Sequence, residues 1–151
     1  MKLGTLLSAH ARYRSNFPAL KASGYEYTFV RLNAEVNRLA NALLAAGITK
    51  GEKVATVMTN RLEFVLMYLA VAKTGIVIVP ISTLLNEAGL KRLLNDSDSI
   101  LVIADASFGA TLEAIRCHLP TIGSNRFILV GGDQAPEGFV SFEDFVDDAP
   151  T

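Results

Sequence analysis

The stretch from Asn60 to Ile81, NRLEFVLMYLAVAKTGIVIVPI, constrains the fold of this chain more than any other. Asn60 offers a side-chain acceptor at a helix start, and Glu63 stands three residues on, the spacing of a capping box. After Glu63 the run is apolar on nearly every helical face, which predicts a helix over residues 61–74 buried between layers. Lys73 falls in its last turn, where a cation suits the helix dipole. Beyond Gly75, Ile76-Val-Ile-Val79 is β-branched throughout and does not alternate with polar residues. That predicts a strand covered on both faces, ending at Pro80. A membrane-spanning helix would need about 20 predominantly apolar residues without such interruptions. Here Gly75 and Pro80 break the run, so helix followed by strand is the physical account.

The rest of the chain repeats this alternation. Leu3, Leu6 and Leu7 share one face of a first helix. Residues 19–22 and 25–28 flank Ser23-Gly24 and read as a β-hairpin. Thr28 caps a helix whose apolar face is Phe29, Leu32, Val36, Leu39 and Leu43, with Arg31, Glu35 and Arg38 toward solvent. Gly47 closes it as a left-handed cap. Residues 53–58 form a strand. Asn86 caps a helix through Asn95, and residues 100–104 form a buried strand. Asp105 or Ser107 caps a helix to about His118, residues 126–130 form another strand, and Ser141 caps a short helix through Val146. This order makes an α/β fold: a three-layer parallel sheet with helices on both faces, plus an N-terminal β-hairpin.

Half of the 151 residues are hydrophobic and the formal net charge is −1, which gives no reason to expect nucleic-acid binding. The charge is uneven. Residues 1–130 carry 14 basic and nine acidic side chains, whereas residues 131–151 carry six acidic and no basic ones. A solvated last helix and linker accounts for that tail more simply than a partner-binding segment. The single cysteine, Cys117, rules out an internal disulfide framework and fits a reducing, cytoplasmic setting. The first 25 residues do not resemble a secretory signal.

A parallel sheet binds ligands outside the carboxyl ends of its strands. Those ends are Thr59-Asn60, Pro80 to Thr83, Ala104-Asp105 and Gly131-Gly132. None is a phosphate cradle: the chain contains neither G-x-G-x-x-G nor G-x-x-x-x-G-K-[ST]. Gly131-Gly132-Asp133 precedes Gln-Ala-Pro and reads as a turn. His118 adjoins Cys117, but neighbouring helical residues point about 100° apart, and no further thiol completes a metal site. His10 reads as an ordinary helix residue, and Asn95-Asp96-Ser97-Asp98 as turn chemistry. Tyr25, Tyr27, Phe29, Phe64 and Tyr68 read as core. No catalytic, cofactor-binding or metal-ligating residue is assigned. Ser82 and Thr83, just past a strand end, are the candidates for facing a substrate pocket.

Three stretches in order resemble the adenylate-forming enzymes, the family of acyl-CoA synthetases, luciferases and peptide-synthetase adenylation domains. Tyr27-Thr-Phe-Val-Arg-Leu-Asn33 with Val36 to Leu43 is similar to the opening aromatic–Thr–x–x–x–Leu motif and its helix. Gly47-Ile-Thr-Lys-Gly-Glu-Lys-Val-Ala55, followed by Asn60 and Glu63, resembles a second family stretch. Leu69 to Ile81 resembles a third, and Leu93 to Ser97 with Leu101 to Asp105 also fits. The likeness covers residues 3–146. Three departures affect local helices only: Arg31 where the family usually has Glu, Thr74 for a common Ala, and Gly89 for a common Glu.

The resemblance implies the N-terminal subdomain of a larger adenylating enzyme over residues 1–146. Residues 147–151 would lead toward a Ser/Thr-Gly-rich phosphate loop that this sequence lacks. The parent would activate a carboxylic acid, a fatty acid by default and an aryl acid as the alternative, using ATP, Mg and CoA. The fragment itself would hold none of these cofactors. Its partners would be the remainder of its own chain and, through exposed apolar surface, a second copy as a homodimer. Two other readings stand beside this one: a stand-alone α/β binding or interaction module without catalysis, and a small-molecule enzyme using the strand ends near Asn60 and Ser82.

Overall fold

Short-range hydrogen bonds set most helix boundaries. In the computed structural model, which describes residues 3–22, 24–132, 135–147 and 149–151, Thr28 Oγ1 accepts from the Arg31 amide at 3.4 Å and Asn86 Oδ1 from the Gly89 amide at 2.9 Å. Ser141 Oγ likewise accepts from the Asp144 amide at 3.0 Å. Each satisfies an amide that the helix leaves without a partner, as expected from the sequence. Gly47 and Gly75 both take φ of +78° just past a helix, a region that side chains with a Cβ avoid. Ser23 of the expected hairpin turn and Asp133 of the expected Gly-Gly-Asp turn lie outside the described residues.

The chain divides into two compact units. The first comprises Met1–Lys50, Asn60–Ile76 and Val146–Thr151. It contains helices α1 (Leu3–Tyr13), α2 (Phe29–Ala45) and α3 (Leu62–Thr74), and the antiparallel hairpin of β1 (Pro18–Ala22) and β2 (Tyr25–Thr28). On α2 the buried residues include Leu32, Val36, Leu39 and Leu43, the face read from the sequence. Glu35 and Arg38 are half-buried rather than solvated, because each screens the other in an ion pair at 3.3 Å. Of the three leucines expected on one face of α1, Leu7 is buried and Leu3 is exposed. Gly4 lets α1 approach α3 closely, since a Cβ there would fall onto the Ala72 carbonyl.

The second unit comprises Gly51–Thr59 and Val77–Phe145. Its five strands are β3 (Lys53–Val57), β4 (Val77–Pro80), β5 (Ser99–Asp105), β6 (Phe127–Val130) and β7 (Val140–Ser141). All pair in parallel, in the order β4-β3-β5-β6-β7. On one face Ala55, Val57, Val102, Ala104, Phe127 and Leu129 pack with Leu90 and Leu94 of α4 (Glu87–Asp96) and Leu112 and Ile115 of α5 (Gly109–Ile115). On the other face Val54, Thr56, Leu101, Ile103 and Ile128 are also buried. The central strands are therefore covered on both sides, which is why they read as unbroken apolar runs. The last helix, α6, is Phe142–Asp147.

Four expectations are corrected. First, Asn60 does not cap α3: Arg61 is the cap residue and makes no side-chain cap bond, while Glu63 turns to the Arg61 Nε at 2.7 Å. An ion pair has displaced the capping box. Second, α3 is not buried all round, since Tyr68 is exposed. Third, β4 is an edge strand of this sheet with Val77 exposed, not a strand covered on both faces. Its composition reports hydrophobicity, not its place in the sheet. Fourth, the helix expected to run to His118 is α5 flanked by 3-10 turns at Ala106–Phe108 and Arg116–His118, and neither Asp105 nor Ser107 caps it. The two-residue β7 was not foreseen.

Thr56 is 1 % exposed, and among the described residues its Oγ1 finds no hydrogen-bond partner. A buried unsatisfied hydroxyl costs about 1–3 kcal/mol. Thr56→Val keeps the branched shape and is expected to raise stability by about 1 kcal/mol. Urea unfolding would show this as a higher midpoint at unchanged slope; an unchanged or lower midpoint would refute the assignment.

Candidate functional site

In an open α/β sheet the ligand crevice lies where strand order reverses, outside the carboxyl ends of the strands. The connection after β3 leads to β4 on one side of it, and the connection after β5 leads to β6 on the other. The reversal therefore falls between β3 and β5. The residues that follow these two strands meet there. One carboxylate oxygen of Asp105, Oδ2, accepts from the Thr59 amide at 2.8 Å and from the Thr59 hydroxyl at 3.0 Å. Asp105 is buried, whereas Thr59 is exposed. A buried carboxylate held by charge-assisted bonds is a strong tie, and this one closes the strand ends over each other. The chain fills its own switch point with a hydrogen-bonded staple.

At the carboxyl end of β6 the backbone turns through Gly131 and Gly132, with φ of +73° and +130°. A small cavity of about 100 Å³ lies beside them, lined in part by Ala106, Leu129, Pro136, Ser141 and Glu143. The only charged group in that lining is a carboxylate, which repels phosphate. No Gly-rich loop opens a helix here, so these residues do not fit a nucleotide's pyrophosphate. Nor do the residues at the reversal point: Asp105 is engaged with Thr59 and adds negative charge. No step of an ATP-dependent reaction is assigned to either place.

Ser82 and Thr83 follow β4, Ser82 exposed and Thr83 half-buried. Ser82 Oγ accepts from the Leu84 amide at 3.2 Å, a local turn bond that orients the hydroxyl along the loop. The structure does not bring this pair to Asp105 through any hydrogen bond described. The Asp96–Asp98 segment is turn chemistry: Asp98 takes φ of +54°, and its carboxylate meets Lys53 Nζ at 3.2 Å.

Lys73 donates to Asn33 Oδ1 and Asn37 Oδ1, both at 2.6 Å. Burial lowers its pKa from the ordinary 10.5, since taking an ammonium out of water favours the neutral amine. Two amide oxygens from α2 thus hold this lysine as a structural link to α3. His10 stacks on Phe29 with centroids 4.9 Å apart. Cys117 and His118 are both exposed. Among the described residues no group of three His, Cys, Asp or Glu side chains could hold a metal ion. The aromatic residues divide: Tyr27 is buried, Phe29 and Phe64 are half-buried, and Tyr25 and Tyr68 are exposed, which corrects their reading as core.

Residues 7–144 match the sequence profile of the AMP-binding enzyme family. The chain belongs to that family. Among its curated relatives, the long-chain-fatty-acid–CoA ligase FadD13 of Mycobacterium tuberculosis is 39% identical over 97 residues, which is 64% of this chain and 19% of the relative. The fatty acid–[acyl-carrier-protein] ligase ScoC of Streptomyces coeruleorubidus is 32% identical over 75% of this chain and 22% of its own. Among solved structures, the anthranilate CoA ligase AuaEII in complex with anthranoyl-AMP superposes with a TM-score of 0.90 at 28% identity, over 99% of this chain and 28% of that one. The N-terminal domain of FACL13 from Mycobacterium tuberculosis superposes at 0.77 and 27% identity, over 99% of this chain and 36% of that domain. The chain spans about a fifth of the length of the curated AMP-binding relatives it matches.

Sequence reasoning missed the Asp105–Thr59 staple, taking Asp105 as a helix cap. The available signal was an Asp ending one buried strand and a Thr ending another, at two positions that a parallel sheet brings to the same edge.

Proposed function

We propose that this chain forms the N-terminal subdomain of an AMP-forming acid–CoA ligase and is catalytically silent by itself. The family match over 7–144, within relatives about five times as long, carries this reading. The missing phosphate cradle and the stapled switch point agree with it. In the whole enzyme, a carboxylate oxygen would bond to the α-phosphorus of Mg-ATP and expel pyrophosphate. The CoA sulfur would then bond to the acyl carbon as the acyl–oxygen bond breaks and AMP leaves. Such a reaction depends on positioning and charge neutralisation, supplied by parts of the enzyme other than these residues.

A fatty acid is the favoured substrate, because FadD13 and ScoC are both fatty-acid ligases by name; an aryl acid is the alternative, given the anthranilate ligase. Residues 1–146 would act as the subdomain and 147–151 as its link onward. The partner of this subdomain would be the rest of its own polypeptide, with a second copy as a further contact, in the cytoplasm. Ser82 and Thr83 remain the pocket-facing candidates. Among the described residues no helix is long and apolar enough to cross a membrane.

Calorimetric titration with Mg-ATP tests the proposal. The 151-residue chain is expected to give no binding heat, and a polypeptide extended to the length of its relatives is expected to bind. Micromolar ATP binding by the short chain alone would overturn the reading.

A further inference from the structure

We infer that the end of α1 and the start of α2 form a docking face for an anionic lipid surface. The backbone brings these two segments together: the Phe29 amide donates to the Phe17 carbonyl at 3.1 Å, and the Val30 amide to the Ser15 carbonyl, also at 3.1 Å. The patch so formed presents Tyr13 at 78 %, Phe17 at 63 % and Val30 at 46 % exposure. Around them Arg12, Arg14 and Arg31 are all exposed. Arg12 lies over the Tyr13 ring at 5.7 Å and Arg31 over the Tyr27 ring at 4.9 Å, so both cations sit beside aromatic surface. Large apolar groups left in water next to arginines are the composition of a membrane interface, where rings lie at headgroup level and guanidinium groups meet phosphates.

Charge complementarity selects the occupant. The first 25 residues contain no Asp or Glu. The first two carboxylates along the chain are both neutralised: Glu26 pairs with Lys21 at 2.9 Å and Glu35 with Arg38 at 3.3 Å. The three patch arginines therefore face solvent with no opposing carboxylate from either segment. Three arginines on one face suit a surface of many anionic headgroups better than a single small anion. The patch is also self-repelling toward a second copy packed face to face.

Co-sedimentation with vesicles tests this on the full chain, comparing phosphatidylcholine alone with an equal mixture of phosphatidylcholine and phosphatidylglycerol. Binding to the mixed vesicles alone is expected, weakening as salt rises. Arg12→Gln with Arg14→Gln should lower partitioning on the order of thirtyfold, and Phe17→Ser by about tenfold. These side chains are exposed, so circular dichroism should be unchanged; if Phe17→Ser perturbs folding, Tyr13→Ser serves in its place. The inference is overturned by no vesicle binding, or by equal binding to both vesicle types that the variants do not alter. It is also overturned if the arginines bind single-stranded DNA but not vesicles, or if Phe17→Ser abolishes self-association in a chain that ignores vesicles.

Discussion

Phe127→Ala is expected to destabilise the chain by about 3–5 kcal/mol, the range for emptying a large core position. Phe127 opens β6, is 1 % exposed, and meets Phe139 edge-on with ring centroids 5.9 Å apart. It stands on the sheet face that packs with α4 and α5, within the main apolar cluster of the second unit. Truncation removes its dispersion contacts and leaves a cavity that strands fixed in a ladder cannot fill. Total stabilities of about 5–15 kcal/mol leave little margin for such a loss. For a chain of this size the thermal midpoint should fall by roughly 10 °C. Phe127→Leu is the control, retaining most of the volume and costing about 1.5 kcal/mol or less. A midpoint for Phe127→Ala within a degree or two of the parent would show that β6 does not anchor this core.

Asp105→Ala should cost about 3 kcal/mol, through loss of the carboxylate that gathers the Thr59 amide and hydroxyl. The estimate exceeds that for an ordinary hydrogen bond because the acceptor is ionised and buried. Asp105→Asn keeps the shape and one carbonyl acceptor but removes the charge, so it should cost about half as much. Urea midpoints for the two variants provide the comparison, with unchanged slopes showing that the unfolded state is unaffected. If Asp105→Ala leaves the midpoint unmoved, the staple does not hold the β3 and β5 ends together. The same pair separates structure from chemistry: a stapling role predicts graded loss of stability, and the silent-subdomain reading predicts no ATP binding in either variant.

The elements legible in the sequence are those whose signals act over a few residues. Thr28, Asn86 and Ser141 bond to amides three positions on, and each was placed from its own neighbourhood. Gly47 and Gly75 mark helix ends because only the local backbone sets their φ. The resemblance carried by Tyr27 to Asn33, Gly47 to Ala55 and Leu69 to Ile81 lies in the region that the family profile matches. The failures involve competition or distance. Asn60 lost its capping role to the Arg61–Glu63 pair, two side chains whose preference for each other no periodicity reveals. The run Ile76 to Val79 could not tell an edge strand from a central one, because apolar composition does not record how many neighbours a strand has. The two-residue β7 is too short to carry a period.

The sequence by itself determined an α/β chain of the AMP-binding family, most of its caps and the apolar faces of its central strands, because those are properties of adjacent residues. Only the tertiary structure decided that Asp105 reaches Thr59 across 46 positions, that Gly4 gives α1 room against Ala72, and that Arg12, Arg14 and Phe17 share a face with Val30 and Arg31. The physical reason is chain closure: contacts between distant segments form where the fold returns the backbone to itself, and a single sequence does not state where that is.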